Sequence, residues 1–264
     1  MKGIIFFFST TGNTMYVCKY IASRLTNGDS FLLDISKDRI PDLSEYDYAG
    51  FATYTDYWGP PKLVQDFFEK LPTQKSEIPA FILNTHAGES GKTLMILKDW
   101  AKAKGFKVIA GHSLITPLNF PPIIADGWTN PGDPDGAELE SFNEFIEKFD
   151  QSIKDIANGI NADEFQVVLD ERDMSFSYAP RTKAREDIGQ LFADEGLCVD
   201  CRQCIEVCPY HAIGFESSPT FDMTKCYGCW SCFNNCPKKA VYTTNMRGKG
   251  HYKTPDAFIK KLTI

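Results

Sequence analysis

The chain has 264 residues, of which 43% are hydrophobic, and a formal net charge of −7. This length leaves room for a sizeable core and a second, smaller module. The acidic excess lies in residues 1–190, which argues against nucleic acid as a partner. No stretch approaches the length of a membrane span, and the apolar run over residues 4–8 is too short for a secretory signal. We therefore expect a soluble, cytoplasmic protein.

A continuous apolar run covers residues 2–8, which is typical of a strand buried on both faces of a parallel sheet. A polar loop and then a helical pattern follow it. The loop residues are Ser9, Thr10, Thr11, Gly12, Asn13 and Thr14. A Gly/Ser/Thr loop before a helix presents N–H groups and hydroxyls to an anion. From these residues alone, the loop is either an anion site or a well-capped turn.

Strands and helices alternate over the rest of residues 1–160. Further strands are predicted over residues 30–35, 48–54, 80–85 and 107–116. Helices are predicted over residues 61–71, 93–104 and 138–160. This alternation predicts an α/β fold with a doubly wound, parallel five-stranded sheet that binds ligands at the carboxyl ends of its strands.

The loop over residues 9–14 resembles the phosphate loop of the flavodoxin family, S/T-x-T-G-N-T, at every position. The resemblance implies the flavodoxin strand order 2-1-3-4-5. It also implies that the loop holds the phosphate of FMN without a lysine or a metal ion. In that family, the loops after the third and fourth strands lie on either side of the flavin ring.

The loop after the third strand contains Thr53, Tyr54, Tyr57, Trp58 and Gly59. Flavodoxins place an aromatic residue that stacks on the flavin in this loop, so the resemblance favours Trp58, followed by Tyr54 or Tyr57. Ordinary packing at the rim of the sheet is the alternative for these side chains.

The loop after the fourth strand contains Thr85, His86 and Gly88, which are expected to line the other side of the flavin ring. Backbone N–H groups or His86 would then bias the charge near the flavin; a structural role for His86 is equally well supported. The sequence Gly91-Lys92-Thr93 ends like a nucleoside triphosphate loop. Because His86 stands where that motif requires its first glycine, we do not expect triphosphate binding.

Three segments have no motif. The Pro/Gly-rich residues 117–136 are interpreted as a lid, as a seat for the second module or as a tolerated insertion. Residues 161–190, which include Tyr178-Ala179-Pro180, are interpreted as a packed connector, because a free linker would be more polar. Residues 255–264 are expected to form a short helix that closes the C-terminal module.

Eight of the nine cysteines form two runs near the end of the sequence, each followed directly by proline. The runs are Cys198, Cys201, Cys204, Cys208 and Cys226, Cys229, Cys232, Cys236. Every cysteine of the second run lies 28 residues after its counterpart in the first, which indicates an internal duplication. Zinc prefers two separated pairs of ligands, and disulfides need an oxidising compartment. The spacing therefore favours iron–sulfur ligation. The ninth cysteine, Cys18, is expected to be a small buried hydrophobic residue.

Residues 195–243 resemble the bacterial ferredoxins with two 4Fe-4S clusters, in which the fourth cysteine of each run binds the other cluster. The resemblance implies cluster I on Cys198, Cys201, Cys204 and Cys236, and cluster II on Cys226, Cys229, Cys232 and Cys208. Together, the two halves resemble the flavodoxin–ferredoxin fusion proteins of anaerobic bacteria and archaea. We expect a flavodoxin-like domain over residues 1–160, the connector over residues 161–190 and a ferredoxin domain over residues 191–264.

These cofactors imply an electron carrier or relay between two 4Fe-4S clusters and FMN, with a ferredoxin-like protein as donor or acceptor. The alternative is an FMN-dependent reductase of a small substrate that receives electrons through its own clusters. A redox sensor is disfavoured because no DNA-binding motif is present. We expect no catalytic acid or base and leave oligomerisation open. One cluster should lie near the flavin and the other near the surface, beside residues such as Arg202, Lys225 or Lys238.

Overall fold

A computed structural model describes residues 1–178 and 183–263, so Ala179 and Pro180 of the predicted connector lie outside the described residues. The first half of the protein forms an all-parallel sheet with the order β2-β1-β3-β4-β5. Its strands are β1 (Lys2–Phe7), β2 (Asp29–Asp34), β3 (Tyr48–Tyr54), β4 (Ile78–His86) and β5 (Phe106–Ile115). This is the order that the flavodoxin resemblance implies, and it confirms the predicted fold class.

Helices cover both faces of this sheet. They are α1 (Asn13–Arg24), α2 (Lys62–Lys70), α3 (Thr93–Ala103) and α5 (Gly136–Ala157), with a 3₁₀ helix at Leu43–Glu45, while the short helix α4 (Pro121–Ala125) lies in the segment after β5. One core, between the sheet, α1 and α5, contains Ile21 and Phe149. The other, between the sheet, α2 and α3, contains Phe67 and Leu97. Burial of both faces explains why the strands are continuous apolar runs.

The helix bounds follow local signals. Gly105 has a φ of +84° just after α3, as a helix that ends in a left-handed residue requires. Asp135 caps α5 by accepting a hydrogen bond from the backbone N–H of Glu138 at 2.9 Å. The short helix α4 lies inside the segment 117–136, for which the sequence predicts a loop, and Pro121 at its start supplies a suitable φ.

The connector follows the edge strand β5 and then crosses the carboxyl edge of the sheet. The N–H of Phe165 donates to the carbonyl of Val108 at 2.8 Å, and Phe165 packs against the second core. Helix α6 (Glu171–Ser175) follows, and Asp173 accepts a hydrogen bond from the N–H of Gly91 at 2.6 Å. These contacts support the interpretation of a packed connector, whose exact bounds remain a proposal.

The cysteine-rich part is built as two similar halves. Its elements are α7 (Lys183–Ile188), β6 (Leu191–Ala193), α8 (Gln203–Glu206), β7 (Ile213–Phe215), β8 (Pro219–Phe221), α9 (Ser231–Asn235) and β9 (Val241–Thr243). Strands β6 and β9 pair antiparallel, as do β7 and β8. Arg202 and Trp230, 28 residues apart, both have a φ of 59°. The duplication seen in the cysteine spacing thus extends to the backbone.

The last helix, α10 (Asp256–Lys261), packs on the first domain. The expectation that it closes the cysteine-rich module is therefore wrong. Phe258 is fully buried in the core that α1 and α5 share, and Leu262 lies beside it. The polypeptide therefore returns to its first domain after completing the second.

Within residues 1–178 and 183–263, no helix combines the length and apolar character needed to cross a bilayer.

We expect Phe258→Ala to destabilise the first domain by about 3–5 kcal/mol, the usual cost of removing a buried aromatic side chain. Urea unfolding followed by far-ultraviolet circular dichroism measures this change. Phe31→Ala is the matched control, because Phe31 is 54% exposed on β2. A cost for Phe258→Ala no larger than that for Phe31→Ala would show that the α10 contact contributes little.

Candidate functional site

A cavity of about 530 Å³ lies where the parallel strands end, a size usual for a small-molecule site. Loops after β1, β3, β4 and β5 border it, together with residues of the second cysteine run. The lining residues are Ser9, Thr10, Thr11, Asn13, Thr14, Tyr54, Thr55, Asp56, Tyr57, Trp58, Thr85, His86, Ala87, Gly88, Glu89, Thr116, Pro117, Leu118, Asn119, Phe120, Ile123, Trp128, Gly228, Cys229 and Trp230. None of these described residues is a lysine or arginine.

The loop after β1 is held by hydrogen bonds within the first domain. Gly12 has a φ of +107°, which only glycine adopts easily, and its N–H donates to Ser9 Oγ at 3.1 Å. The side chain of Asn13 donates to the carbonyl of Pro117 at 2.8 Å. The hydroxyls of Thr14 and Thr85 are 2.9 Å apart. Hydroxyls and helix N–H groups without a cation fit a phosphate group of the kind that the resemblance implies.

Most of the predicted flavin contacts border this cavity, but Gly12, Thr53 and Gly59 do not. Gly12 serves the turn that leads into α1. Thr53 is fully buried within β3. A side chain on Gly59 would collide with the ring of Tyr178, so this glycine is needed for a close contact with the connector. The structure therefore gives these three residues structural roles, and their predicted contact with FMN stays a prediction.

The favoured aromatic residue, Trp58, stacks on Phe176 of the connector with ring centroids 4.8 Å apart and an angle of 5° between the planes. One face of its indole is therefore already covered. Tyr54 packs against Phe8, and the hydroxyl of Tyr57 donates to Asp187 at 2.6 Å. All three predicted aromatic residues border the cavity, and which of them would stack on a flavin stays a prediction.

His86 borders the cavity as a neutral side chain. Burial lowers the pKa of His86 to about 4, so its imidazole carries no charge at neutral pH. Its Nδ1 atom is buried and has no hydrogen-bond partner among the described residues. A neutral histidine can still orient a ligand by hydrogen bonding, so the place of His86 beside the flavin stays a prediction.

The cysteines form two separate groups of four, each around a void of about 20 Å³. Residues Cys208, Cys226, Cys229 and Cys232 border one void. Residues Cys198, Cys201, Cys204 and Cys236 border the other. These are the sets that the ferredoxin resemblance implies, and the grouping supports the predicted ligands, which remain a prediction. No three His, Cys, Asp or Glu side chains among the described residues form a site for a single metal ion.

The protein surrounds these sulfurs with hydrogen-bond donors and apolar groups. The N–H of Ala212 donates to the sulfur of Cys208 at 3.3 Å, and the N–H of Ala240 donates to the sulfur of Cys236 at 3.2 Å. Burial raises the pKa of the Cys204 thiol to about 11. A buried thiolate therefore needs a positive partner, which the iron of a cluster supplies on binding. Hydrogen bonds to sulfur are one of the means by which proteins set cluster potentials.

Sequence reasoning missed the residues by which the second run reaches the cavity, Gly228 and Trp230. Gly228 has a φ of +94°, and any side chain there would collide with the carbonyl of Ala184 on α7. Trp230 is 4% exposed, and its indole N–H is buried without a partner among the described residues. A comparison of the two repeats could have revealed them, because the first run has the polar residues Asp200 and Arg202 at the matching positions.

Comparison with known proteins identifies the second module. Residues 197–240 match the family described as the 4Fe-4S dicluster domain. A component of the anaerobic dimethyl sulfoxide reductase of Escherichia coli is 36% identical over 66 residues, which cover 22% of this chain and 31% of that protein. Pyruvate synthase subunit PorD of Methanothermobacter marburgensis is 40% identical over 50 residues, 19% of this chain and 59% of that protein. The match spans about a third of the length of the Escherichia coli relative.

Among solved structures, a flavodoxin from the domain Archaea is similar to 58% of this chain and 99% of its own length, with 15% identity and a TM-score of 0.45. The strand order and the parallel pairing define the fold without this comparison. The protein thus joins a flavodoxin-like α/β domain to a 4Fe-4S dicluster ferredoxin domain, and the architecture that the sequence resemblance implied is confirmed.

We expect Cys208→Ala and Cys236→Ala each to remove one cluster and about half of the bound iron, because each of the two sites depends on four thiolates. Iron and acid-labile sulfide analysis of anaerobically purified protein measures the loss. The crossed assignment predicts that adding Cys232→Ala to Cys208→Ala causes little further loss. Adding Cys198→Ala to Cys208→Ala should instead remove nearly all the iron. The reverse pattern would show that Cys208 shares a cluster with Cys198.

Proposed function

We propose that this protein transfers electrons between two 4Fe-4S clusters and an FMN held in the cavity, acting as a carrier or relay for a protein redox partner. The observation that carries the proposal is that Gly228, Cys229 and Trp230 border the same cavity as the loop over residues 9–14. Bound flavin exchanges one or two electrons, whereas each cluster exchanges one. With this function, the protein links single-electron donors to a two-electron cofactor.

The residues around the cavity fit the proposed FMN. The loop over residues 9–14 offers hydroxyls and N–H groups to a phosphate, and Tyr54, Tyr57 and Trp58 offer aromatic surface to a flavin ring. The buried Nδ1 atom of His86 and the indole Nε1 atom of Trp230 lack partners among the described residues. Because buried polar groups normally form hydrogen bonds, these two side chains are suited to contact a bound ligand.

The two proposed cluster sites differ in exposure, and this difference supports a separate exchange partner for each cluster. Each group contains one buried cysteine, Cys204 or Cys232, but only the second group borders the cavity, through Cys229. In the other group, Cys201 is exposed, and Leu197 and Val199 nearby are 50% and 55% exposed. We therefore assign cluster II to exchange with the flavin and cluster I to exchange with a partner protein.

Basic side chains lie near the proposed outer cluster. Arg202 and Lys238 are exposed and border the void of cluster I. Lys225, which the sequence placed with them, directly precedes Cys226 of the other group and forms an ion pair with Asp222 at 3.5 Å. Arg202 and Lys238, without Lys225, are therefore the candidates to attract an acidic partner.

The relatives support a place in anaerobic redox metabolism. Two of them are named as components of an anaerobic dimethyl sulfoxide reductase and of pyruvate synthase. By analogy, a redox protein is the partner of this chain.

An FMN-dependent reductase of a small substrate is the second candidate. The segment after β5 contributes Leu118, Phe120, Ile123 and Trp128 to the cavity. Ile123 and Trp128 are 42% and 49% exposed, so this wall reaches the surface. A substrate-sized opening above the ring would serve a reductase. Turnover of a small oxidant at rates above those of protein acceptors would favour this second function.

We expect Thr11→Glu to weaken FMN binding by about a thousandfold. Two like charges about 4 Å apart repel by about 4 kcal/mol at an effective dielectric constant of 20. Thr11 is preferable to the fully buried Thr14, where a carboxylate would endanger folding. The measurement is titration of the flavin-free protein with FMN, followed by the quenching of flavin fluorescence.

Thr73→Glu is the control for this experiment, because Thr73 is an exposed threonine near the opposite edge of the sheet. It should leave the FMN affinity unchanged, and both variants should keep their iron. Retention of full FMN affinity by Thr11→Glu, or extraction of FAD from the purified protein, would contradict the proposed phosphate site.

We expect the double variant Arg202→Asn/Lys238→Gln to accept electrons from a reduced acidic ferredoxin about tenfold more slowly at low ionic strength, because electrostatic steering is lost. Asparagine at position 202 tolerates the left-handed backbone found there. Stopped-flow absorbance of the flavin measures the rate. The rate of the unmodified protein should also fall as salt is added.

Lys225→Gln is the matched control and should behave like the unmodified protein. Reduction by dithionite, a small reductant, should be similar in all variants. An equal effect of Lys225→Gln, or flavin reduction by the protein donor that persists after loss of cluster I, would contradict the assignment of cluster I as the outer centre.

A further inference from the structure

Helix α9 joins the two proposed cofactor sites. It lies between the cysteines of the second run, with Cys232 inside it and Cys236 directly after it. The side chain of Asn235 donates to the carbonyl of Thr10 at 2.9 Å, and the hydroxyl of Ser231 donates to the same carbonyl at 3.3 Å. A helix that carries proposed cluster ligands therefore holds the backbone of the proposed phosphate loop.

A second set of contacts reaches the next peptide unit of the loop. The hydroxyl of Thr254 donates to the carbonyl of Thr11 at 2.7 Å. The hydroxyl of Tyr252 donates to Asn13 Oδ1 at 2.7 Å. The segment that holds both is itself tied to α9, because the N–H of Tyr252 donates to Asn234 Oδ1 at 3.0 Å.

These contacts fix the orientation of the loop's N–H groups. A trans peptide is planar, and its C=O and N–H point in opposite directions. Holding the carbonyl of Thr10 therefore fixes the direction of the N–H group of Thr11, and holding the carbonyl of Thr11 fixes that of the Gly12 N–H, which donates to Ser9 Oγ. The N–H groups are the donors that an anion at a helix N-terminus requires. Preorganised donors bind more tightly than mobile ones, because less entropy is lost on binding.

The position of α9 depends in turn on the cysteines around it. The helix has only five residues, and isolated helices of this length are unstable in water. Metal binding commonly supplies folding free energy to small metal-binding modules. Ligation of Cys229, Cys232 and Cys236 would thus hold α9 at both ends.

We propose that iron–sulfur assembly and FMN binding are thermodynamically coupled through α9, with Asn235 and Ser231 as positioning residues for the phosphate loop. The coupling rests on the proposed function, since it needs FMN at that loop. Because coupling between two binding sites is reciprocal, bound FMN must stabilise the clusters by the same factor by which the clusters favour FMN. FMN is then held firmly only by protein that has acquired its clusters.

The first test measures FMN affinity in full-length, cluster-loaded protein from which FMN has been removed. Asn235→Ala should weaken FMN binding by about tenfold, the effect of losing one hydrogen bond of ordinary strength. Adding Ser231→Ala should weaken it further. Asn158→Ala is the matched control, because Asn158 is an exposed asparagine at the far end of α5. Iron content should be equal in all variants.

The second test measures the reciprocal effect, which a merely structural role for Asn235 would not produce. An iron chelator is added anaerobically with and without saturating FMN, and the loss of cluster absorbance is followed. FMN should slow cluster loss severalfold in the unmodified protein and in Asn158→Ala, and much less in Asn235→Ala. Tyr252→Phe, which removes only one hydroxyl, provides a second variant with the same expected direction.

Two results would overturn the coupling: FMN affinity that is the same in Asn235→Ala and the unmodified protein, or cluster loss that FMN does not slow. Failure of the proposed function looks different, because the unmodified, cluster-loaded protein would then bind no FMN at all. That result would overturn the proposed function and the coupling together.

Discussion

The contact between the second cysteine run and the carboxyl edge of the sheet determines how the two domains pack together. Parallel strands end at one edge, and their loops leave a concave surface there. The carbonyl of Thr10 on that surface accepts hydrogen bonds from Ser231 and Asn235, and Tyr227 donates to Asp56 at 2.9 Å. These hydrogen bonds between the domains favour one position of the ferredoxin domain on the first domain.

The two halves of the duplicated module have different residues at the positions where their surroundings differ. At matching backbone positions, the first half has Asp200 and Arg202, whereas the second has Gly228 and Trp230. Polar residues suit a surface in contact with water. Glycine allows close approach of α7, and tryptophan buries a large area beside the cavity. The first half is exposed at these positions and the second faces the first domain, so each half has the composition that its surroundings require.

The two ends of the C-terminal half are both tied to the first domain, and this limits relative motion. Connector residues Phe176 and Tyr178 cover Trp58 and Gly59 on one side of the cavity. After the second module, Phe258 enters the core of the first domain. Since buried aromatic contacts are expensive to separate, the arrangement favours a fixed geometry. Electron exchange between fixed centres does not require a search by diffusion of one domain.

Local signals in the sequence determined the element order, the loop over residues 9–14 and the spacing of the cysteines, because strand periodicity, glycine conformation and ligand spacing are properties of short segments. The crossed grouping of Cys208 and Cys236 came from resemblance to a family and not from spacing alone. Only the tertiary structure decided which cysteine run faces the cavity, why Thr53 and Gly59 are structural, and where α10 packs. Each of these depends on contacts between residues distant in the sequence, whose partners no local pattern specifies.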